Sequence, residues 1–310
     1  MTTHQPLPPR PGTDATSGAD GPTAAPLVAV VGATGKSGRR VAARLTAAGV
    51  PVRPVSRSTA VRLDWDDPAT WAPAVEGADA VYVAVAPDLA APGTPEVVAG
   101  FARVAARAGV RRLVLLSGRG EPEAQRAEQL VAEVFPARTV VRCAWFAQNF
   151  SESFLLDPVL DGVAPLPVSD VVEPFVDLED VAEVAVAALT EPGHEGRVYE
   201  LTGPRLLTFG EALAEIGAVS GREVRLETVT GEEFAVGLSA AGLPSDVVDL
   251  VRYLFEEVLD GRNAHLAPGV REALGREPRD FVEFVRREAA AWAVPSGFPA
   301  VPAGTFSEVR

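Results

Sequence analysis

The chain has 310 residues, of which 47% are hydrophobic and 23% charged, and its formal net charge is −14. This length allows one large α/β domain, or a domain with a smaller lobe, to bury a substantial core. A protein that binds duplex nucleic acid needs clustered cations to displace counterions from the phosphates. This acidic composition supplies no such cluster, so we expect no nucleic-acid partner.

Short apolar runs alternate with helical patterns from residue 26 to about residue 150. We predict strands at LVAVVG, VPVRPVSR, VRLDW, ADAVYVAVAP, RRLVLLSG and RTVVRC, with helices between several of them. Continuous β-branched runs that alternate with helices are typical of a parallel sheet covered on both faces. The sequence therefore predicts a doubly wound α/β domain over residues 26–150.

The remaining segments differ in composition and pattern. Residues 1–25 are rich in Pro, Thr, Gly and Ala and carry little apolar surface, so we predict a disordered tail. Residues 151–293 mix loops, short strands and helices, which predicts a smaller C-terminal α+β lobe for the substrate. We expect one helix of this lobe to open at Asp180 and another at Thr208, with Glu211 at capping-box spacing. Residues 294–310 are predicted to be a loose tail.

The first predicted strand leads into a glycine-rich loop. Gly35-Lys36-Ser37 has the ending of a nucleotide-triphosphate loop, but Val30 stands where that loop needs its first glycine. The spacing Gly32-x-x-Gly35-x-x-Gly38 between a strand and a helix is typical of a dinucleotide cradle, where backbone and helix N-terminus approach the pyrophosphate. The predicted cofactor-binding residues of the loop are Gly32, Thr34, Gly35, Lys36, Ser37 and Gly38.

The end of the second strand indicates which dinucleotide binds. A reader of the ribose 2′-hydroxyl has Asp or Glu there, whereas this chain has Arg57 and Ser58, with Arg53 close by. A guanidinium suits a phosphate group. The sequence therefore predicts NADPH/NADP as the cofactor rather than NADH/NAD.

Several segments together resemble the NmrA-like family of atypical short-chain dehydrogenases, and its ergot-alkaloid reductase branch in particular. They include VVGATGKSGRRVA, VSRS, LDWDDPATW, VYVAVAP, RRLVLLSG, RCAWFAQNF and EPFVDLEDVAEVAVAAL, and the resemblance runs from about residue 27 to 293. It implies an NADPH-binding Rossmann domain with a small substrate lobe. The further site residues that it implies are Asp64 and Trp65 beside the adenine, Ala86 and Pro87 along the ribose and nicotinamide, Ser117 at the reaction site, and Trp145, Phe146, Asn149 and Phe150 in the pocket.

The acid of an ordinary short-chain dehydrogenase is missing from the sequence. That acid is a tyrosine after the fifth strand, helped by a lysine, but the tyrosines here lie elsewhere and Lys36 is the only lysine. The segment SGRGEPEAQRAEQL instead offers Ser117, Arg119 and three glutamates. We predict Ser117, Trp145 and Asn149 as catalytic residues and Arg119, Phe146 and Phe150 as pocket residues. No metal site is expected, because no His, Cys and Asp cluster has metal-ligand spacing.

Two kinds of hydride acceptor suit a site without that tyrosine. An iminium carbon needs no acid, and an enone or quinone needs only a weak donor. We therefore predict a reductase of a flat polycyclic secondary metabolite, in a pathway such as antibiotic biosynthesis. Two alternatives stay open: a redox-sensing regulator without catalysis, and an NADPH-primed coupling or isomerising enzyme of an aromatic polyketide pathway. We expect a monomer or homodimer in the cytoplasm with no membrane partner, since no long apolar run or signal peptide is evident.

Overall fold

A computed structural model describes residues 26–293, and the tails predicted at 1–25 and 294–310 lie outside them. The strands are β1 (Val28–Val31), β2 (Val52–Ser56), β3 (Val61–Arg62), β4 (Ala80–Val83), β5 (Arg112–Gly118), β6 (Thr139–Cys143), β7 (Val163–Leu166), β8 (Val172–Glu173), β9 (Val198–Leu201), β10 (Leu207–Thr208) and β11 (Arg225–Thr228). The helices are α1 (Lys36–Ala47), α2 (Trp71–Val75), α3 (Thr94–Arg107), α4 (Pro122–Val134), α5 (Asn149–Glu152), α6 (Leu156–Asp161), α7 (Leu178–Thr190), α8 (Phe209–Ser220), α9 (Gly231–Ala240), α10 (Ser245–Tyr253), α11 (Gly269–Leu274) and α12 (Phe281–Arg287).

Seven strands form the central sheet in the order β3-β2-β1-β4-β5-β6-β9, and every pair is parallel. The predicted doubly wound parallel sheet is thus confirmed. The strand order reverses between β1 and β4, so the connections that follow these two strands leave toward opposite faces. A crevice opens at that point beyond the carboxyl ends of the strands, where ligands of such folds bind.

Helices cover the sheet on both faces, and the strand side chains divide between them. Ala29 and Val31 of β1 lie in one apolar cluster with Phe101 of α3. Val30 lies in a second cluster with Val41 of α1 and with much of α7. Because successive strand residues point to opposite faces, a strand covered on both sides must be apolar throughout. This double burial explains the uninterrupted apolar runs in the sequence.

The predicted division of the chain after Phe150 is wrong, because the chain returns to the large sheet. Strand β9 pairs in parallel with β6, with Val198 beside Val140. Helix α7 packs in the apolar cluster of α1, and Val270 of α11 joins that cluster. Parts of the segment 151–293 therefore complete the nucleotide-binding sheet, and only the rest forms the smaller lobe.

The smaller lobe is built around aromatic side chains. Two short sheets, β7 with β11 and β8 with β10, support it. The rings of Phe175 and Phe209 lie 5.1 Å apart, and that of Phe150 lies 5.8 Å from Phe281. Trp292 donates its indole N–H to the Phe150 carbonyl at 2.9 Å. Full burial of each such side chain contributes about 1.5–3 kcal/mol, so this cluster holds the lobe together. Within residues 26–293, no helix has the length and apolar character needed to cross a membrane.

The N-cap of helix α7 lies three residues before the predicted capping residue, Asp180. Asp177 is the N-cap, and its side chain accepts a hydrogen bond from the Glu179 amide at 2.9 Å. Asp180 lies inside the first turn, is fully buried, and forms ion pairs with Arg276 and Arg279. The expectation that Asp180 opens the helix is therefore wrong. Its carboxylate instead fixes the segment before α12 onto the large domain.

Candidate active site

A cavity of about 750 Å³ runs along the carboxyl edge of the sheet, across the crevice between β1 and β4. One end lies between the glycine loop and the turn after β2, and the other lies against α10. The predicted site residues that line it are Gly32, Thr34, Gly35, Lys36, Ser37, Arg57, Ser58, Asp64, Trp65, Ala86, Pro87, Ser117, Arg119, Trp145, Phe146 and Asn149. Two predicted residues, Gly38 and Phe150, do not line it.

The glycine loop has the backbone geometry of a pyrophosphate cradle. Gly32 has φ +80°, and a Cβ there would lie 2.8 Å from the Ala84 carbonyl oxygen. A Cβ on Gly38 would lie 2.2 Å from the Gly32 carbonyl oxygen, so Gly38 permits close packing of α1 on the loop. A Cβ on Gly35 would meet only one protein atom, the Gly32 carbonyl oxygen, at 3.2 Å. The space that Gly35 leaves faces the cavity.

Helix α1 begins at this cradle without a side-chain cap on its N-terminus. The amide N–H groups of a first helical turn have no partner within the helix, so an uncapped turn favours an anion. Lys36 is the first residue of the helix and lines the cavity. Its Nζ donates a hydrogen bond to Asn149 Oδ1 at 2.5 Å. Burial lowers the pKa of Lys36 to about 8. The residues present therefore fit a dinucleotide pyrophosphate.

The turn after β2 leaves one arginine free. Arg57 is exposed, lines the cavity and makes no hydrogen bond or ion pair with any residue in 26–293. Arg53 is occupied, because its Nη1 donates to the carbonyls of Ala74 and Glu76 at 3.3 and 2.5 Å. The Ser58 amide donates to Ser56 Oγ at 3.1 Å, which fixes the turn. Of the two arginines named in the sequence, the structure leaves only Arg57 able to receive a phosphate.

The cavity wall beside this turn comes from the segment after β3. Trp65 packs edge-on against Phe101, with 5.5 Å between the ring centroids, and against Trp71 at 6.4 Å. Trp71 donates its indole N–H to the Asp64 carbonyl at 2.9 Å. Hydrogen bonding from the Asp66 amide, and then from Arg62, lowers the pKa of the Asp64 carboxyl. Asp64 is therefore a fixed acceptor, and Trp65 a fixed apolar surface, at the end where adenine was predicted.

The Ser117 hydroxyl donates its hydrogen bond to Glu128, which is not among the residues that line the cavity. Ser117 is 4% exposed, and its Oγ donates to Glu128 Oε1 at 2.6 Å. Glu128 also accepts from Arg142, whose Nε lies 2.9 Å from Oε1. Arg142 in turn binds Glu200 at 2.6 Å. Because the single proton of Ser117 points to Glu128, the residue lines the cavity but has no proton to offer there.

Arg119 lines the cavity with its guanidinium turned away toward the smaller lobe. Its Nη2 lies 2.8 Å from Nε2 of His265, and its Nε lies 3.5 Å from a Glu200 oxygen. The Asn263 side chain donates to the Arg119 carbonyl at 3.2 Å. Arg119 therefore joins the loop after β5 to the loop 260–265.

The far end of the cavity is apolar. Trp145 is half-buried and packs edge-on against Phe255, with 4.9 Å between ring centroids. The rest of this wall consists of Phe154, the α10 residues Val247, Leu250 and Val251, and Leu254 directly after α10. Phe150, predicted in the pocket, is fully buried in the core of the smaller lobe instead. That expectation is wrong because α5 turns its ring inward, away from the cavity.

Comparison with known proteins agrees with this geometry. Residues 32–138 match a family model described as NAD(P)H-binding. The (4-alkanoyl-5-oxo-2,5-dihydrofuran-3-yl)methyl phosphate reductase of Streptomyces griseus is 35% identical over 287 residues, which cover 86% of this chain and 99% of that protein. Agroclavine dehydrogenase of Claviceps fusiformis is 31% identical over 288 residues, covering 86% and 98%. The chain belongs to the NmrA-like family of atypical short-chain dehydrogenases.

A solved structure shows the fold of this NmrA-like chain. The triphenylmethane reductase of Citrobacter sp., complexed with NADP(H), superposes with a TM-score of 0.71 at 19% identity, over 85% of this chain and 99% of that one. The NmrA-like chain thus has an NAD(P)H-binding domain and belongs to a family of oxidoreductases.

Sequence reasoning missed three parts of the cavity wall. Asp88 follows β4, Asn263 comes from a distant loop, and α10 supplies the apolar end. Asp88 directly follows the VYVAVAP motif, and a carboxylate at that position could have been predicted as part of the site from the sequence. Nothing local in the sequence places Asn263 or α10 at the site, because both reach it through long-range packing.

Proposed function

We propose that the protein is an NADPH-dependent reductase that adds a hydride to a conjugated acceptor, an iminium, enone or quinone, in a flat and largely apolar secondary metabolite. The observation that carries this proposal is the continuity of the cavity. It joins a glycine cradle and a free arginine at one end to an aromatic and aliphatic wall at the other.

The cofactor end supports NADPH. The uncapped start of α1 and Lys36 would hold the pyrophosphate, and the free Arg57 would pair with the 2′-phosphate. Asp64 and Trp65 would border the adenine. When bound, NADPH supplies the hydride, and the protein's own residues position the acceptor and exclude water.

The substrate end supports an apolar acceptor. Trp145, Phe154 and Leu250 present apolar surface to the cavity. None of the three tyrosines lines it: Tyr82 and Tyr199 are buried elsewhere, and Tyr253 lies outside the lining. The residues around the acceptor therefore act mainly through orientation, which can contribute several kcal/mol when reacting atoms are held in near-attack geometry.

The names of relatives favour the same class of reaction. The Streptomyces griseus relative is named as a reductase of a 5-oxo-2,5-dihydrofuran phosphate, and the Claviceps fusiformis relative as agroclavine dehydrogenase. From these names we carry over to this chain only the proposal that it reduces a conjugated secondary metabolite.

The test blocks one end of the cavity and leaves the other intact. Leu250→Trp fills the wall of α10, whereas Val236→Trp, at a position 64% exposed on α9, serves as the matched control. NADPH oxidation is measured against enones, quinones and iminium compounds, with NADPH affinity measured in parallel. We expect Leu250→Trp to lose oxidation while it keeps NADPH affinity, and the control to keep both. If the wild-type protein binds NADPH but none of the tested acceptors supports its oxidation, the sensing role is favoured.

A further inference from the structure

Two carboxyl groups meet at the cavity wall, at the ends of neighbouring strands. Asp88 follows β4 and Glu121 follows β5, and β4 and β5 are paired in parallel. The carboxyl ends of parallel neighbours lie at the same edge of the sheet, which brings the two side chains together. Both residues line the cavity, beside Pro87 on one side and Ser117 on the other.

The Glu121 side chain is buried, and one of its carboxyl oxygens has no hydrogen-bond partner within residues 26–293. It is 8% exposed, and a Cβ added to Gly118 would lie 1.9 Å from its Oε1, so its carboxyl rests on the glycine backbone. Its Oε2 is buried and has no hydrogen-bond partner among residues 26–293. A buried carboxylate oxygen without a partner is costly, whereas a protonated carboxyl avoids that cost. Asp88 is better satisfied, because its Oδ1 accepts from the Ala90 amide at 2.8 Å.

No cation compensates this pair within the described part of the chain. The neighbouring arginines are engaged elsewhere: Arg119 with His265, Arg142 with Glu128, and Arg262 with Asp260. The other titratable groups that face Glu121 are, apart from Asp88, Glu128 of α4, Cys143 of β6 and Tyr253 of α10. All of these are acidic or neutral. Two adjacent carboxyls with no cation cannot both ionise cheaply, so the pair keeps a proton.

The electrostatics assign that proton to Glu121. Burial raises the pKa of Glu121 well above its ordinary value, and the Asp88 and Glu128 carboxyls raise it further. Burial also raises the pKa of Asp88, but the hydrogen bond from the Ala90 amide opposes that rise. Asp88 is thus the ionised member of the pair, and Glu121 the protonated one.

We propose that Glu121, paired with Asp88, is the proton donor of the reduction, in place of the absent tyrosine. This inference rests on the proposed function and narrows its substrate to a neutral conjugated carbonyl, an enone or a quinone. When one carbon of such an acceptor gains a hydride, the electron pair of its double bond moves to the adjacent carbon or the oxygen. The O–H bond of Glu121 breaks, its proton goes to that atom, and the pair recovers a proton from water. An iminium would need no proton, so for it Glu121 would be idle.

The test uses an isosteric variant and an exposed neighbour as control. Glu121→Gln keeps the volume but loses the acidic proton, and Glu123→Gln changes a side chain 47% exposed in the first turn of α4, two residues further along the chain. Infrared spectra of the cofactor-free protein at neutral pH should show the carbonyl stretch of protonated Glu121 in wild type and in Glu123→Gln, beside a contribution from Glu173, whose pKa burial raises to about 7. Glu121→Gln should keep the Glu173 contribution and lose the Glu121 band. Asp88→Asn, a second variant, should shift the pH at which that band disappears.

Activity gives the second readout. Glu121→Gln should reduce enones or quinones at least about 100-fold more slowly, the scale for a general acid, with NADPH affinity unchanged. In wild type the rate should fall as pH rises through the pKa of the pair, and Glu121→Gln should lack this limb. Absence of the infrared band, or an unchanged rate in Glu121→Gln, would overturn the donor role alone. Wild-type reduction of iminium compounds only would also overturn it. A wild-type protein with the band but no activity on any acceptor would instead overturn the proposed function, and the donor role with it.

Discussion

The Nζ atom of Lys36 lies 2.5 Å from Oδ1 of Asn149, so the first residue of α1 is bound to the segment that leads from β6 into the smaller lobe. Both residues line the cavity. The contact places the only lysine of the chain between the predicted pyrophosphate cradle and the substrate end. It also gives the cofactor site a titratable group.

The first prediction concerns the pH dependence of NADPH binding. Burial lowers the pKa of Lys36 to about 8 in the cofactor-free protein. Bound phosphates would raise that pKa, so binding takes up a proton once the pH exceeds about 8. The affinity for NADPH should therefore fall above pH 8, by at most about tenfold per pH unit for one linked proton. Titration calorimetry at several pH values measures it. Lys36→Arg, which stays charged, should remove the dependence and keep binding; an unchanged wild-type affinity up to pH 10 would refute the linkage.

The second prediction concerns cofactor choice. Arg57→Ala should weaken NADPH binding by about 1.5–3 kcal/mol, the scale of a charged hydrogen bond, and leave NADH binding nearly unchanged. Arg53→Ala is the matched control, because Arg53 binds the carbonyls of Ala74 and Glu76 and should alter stability rather than selectivity. Fluorescence titration with both cofactors gives the comparison. Equal losses for NADPH and NADH in Arg57→Ala would show that the 2′-phosphate is bound elsewhere.

The third prediction separates two glycines of one loop. Gly35→Val should abolish binding of either cofactor while the protein still folds, since a Cβ there meets only one protein atom, at 3.2 Å. Gly38→Val should instead lower the melting temperature, because its Cβ would lie 2.2 Å from the Gly32 carbonyl oxygen. Circular dichroism melts and cofactor titrations distinguish the two effects. Ordinary cofactor affinity in Gly35→Val would mean that the cradle is elsewhere.

The fourth prediction compares Ser117 with Trp145. Ser117→Ala removes a hydrogen bond to Glu128, which keeps Arg142 as a partner, so turnover should change only modestly. Trp145→Ala should raise the KM for the acceptor or lower kcat sharply, with NADPH affinity intact, because its ring forms the apolar wall. Steady-state kinetics on each variant decides the matter. Loss of activity in Ser117→Ala with full activity in Trp145→Ala would place the chemistry at the serine.

Local patterns predicted the parts of the structure that depend on local physics. The strands of the sheet follow from runs of apolar residues, and the capping box at Thr208 is present, with the Glu211 amide 3.1 Å from its Oγ1. The glycine loop follows from spacing alone. The position of Asp177, rather than Asp180, at the start of α7 was harder to predict, because both are acidic and only the ion pairs of Asp180 separate them.

Long-range contacts explain what the sequence did not reveal. Strand β9 returns to the large sheet after a long excursion, and α10 reaches the cavity from the smaller lobe. The inward turn of Phe150 depends on its partners Phe175 and Phe281. The meeting of Asp88 with Glu121 requires the pairing of β4 with β5. None of these relationships has a signature in a short window of sequence.

The central claim, hydride transfer inside this cavity, is tested most directly by isotope transfer. The protein is incubated with NADPH that carries two deuterium atoms at C4 and with an apolar enone, and the product is examined by mass spectrometry. The account predicts deuterium on carbon in the product of the wild-type protein and none with Leu250→Trp, which still binds NADPH. A product reduced without deuterium, or equal deuterium transfer by Leu250→Trp, would contradict the account.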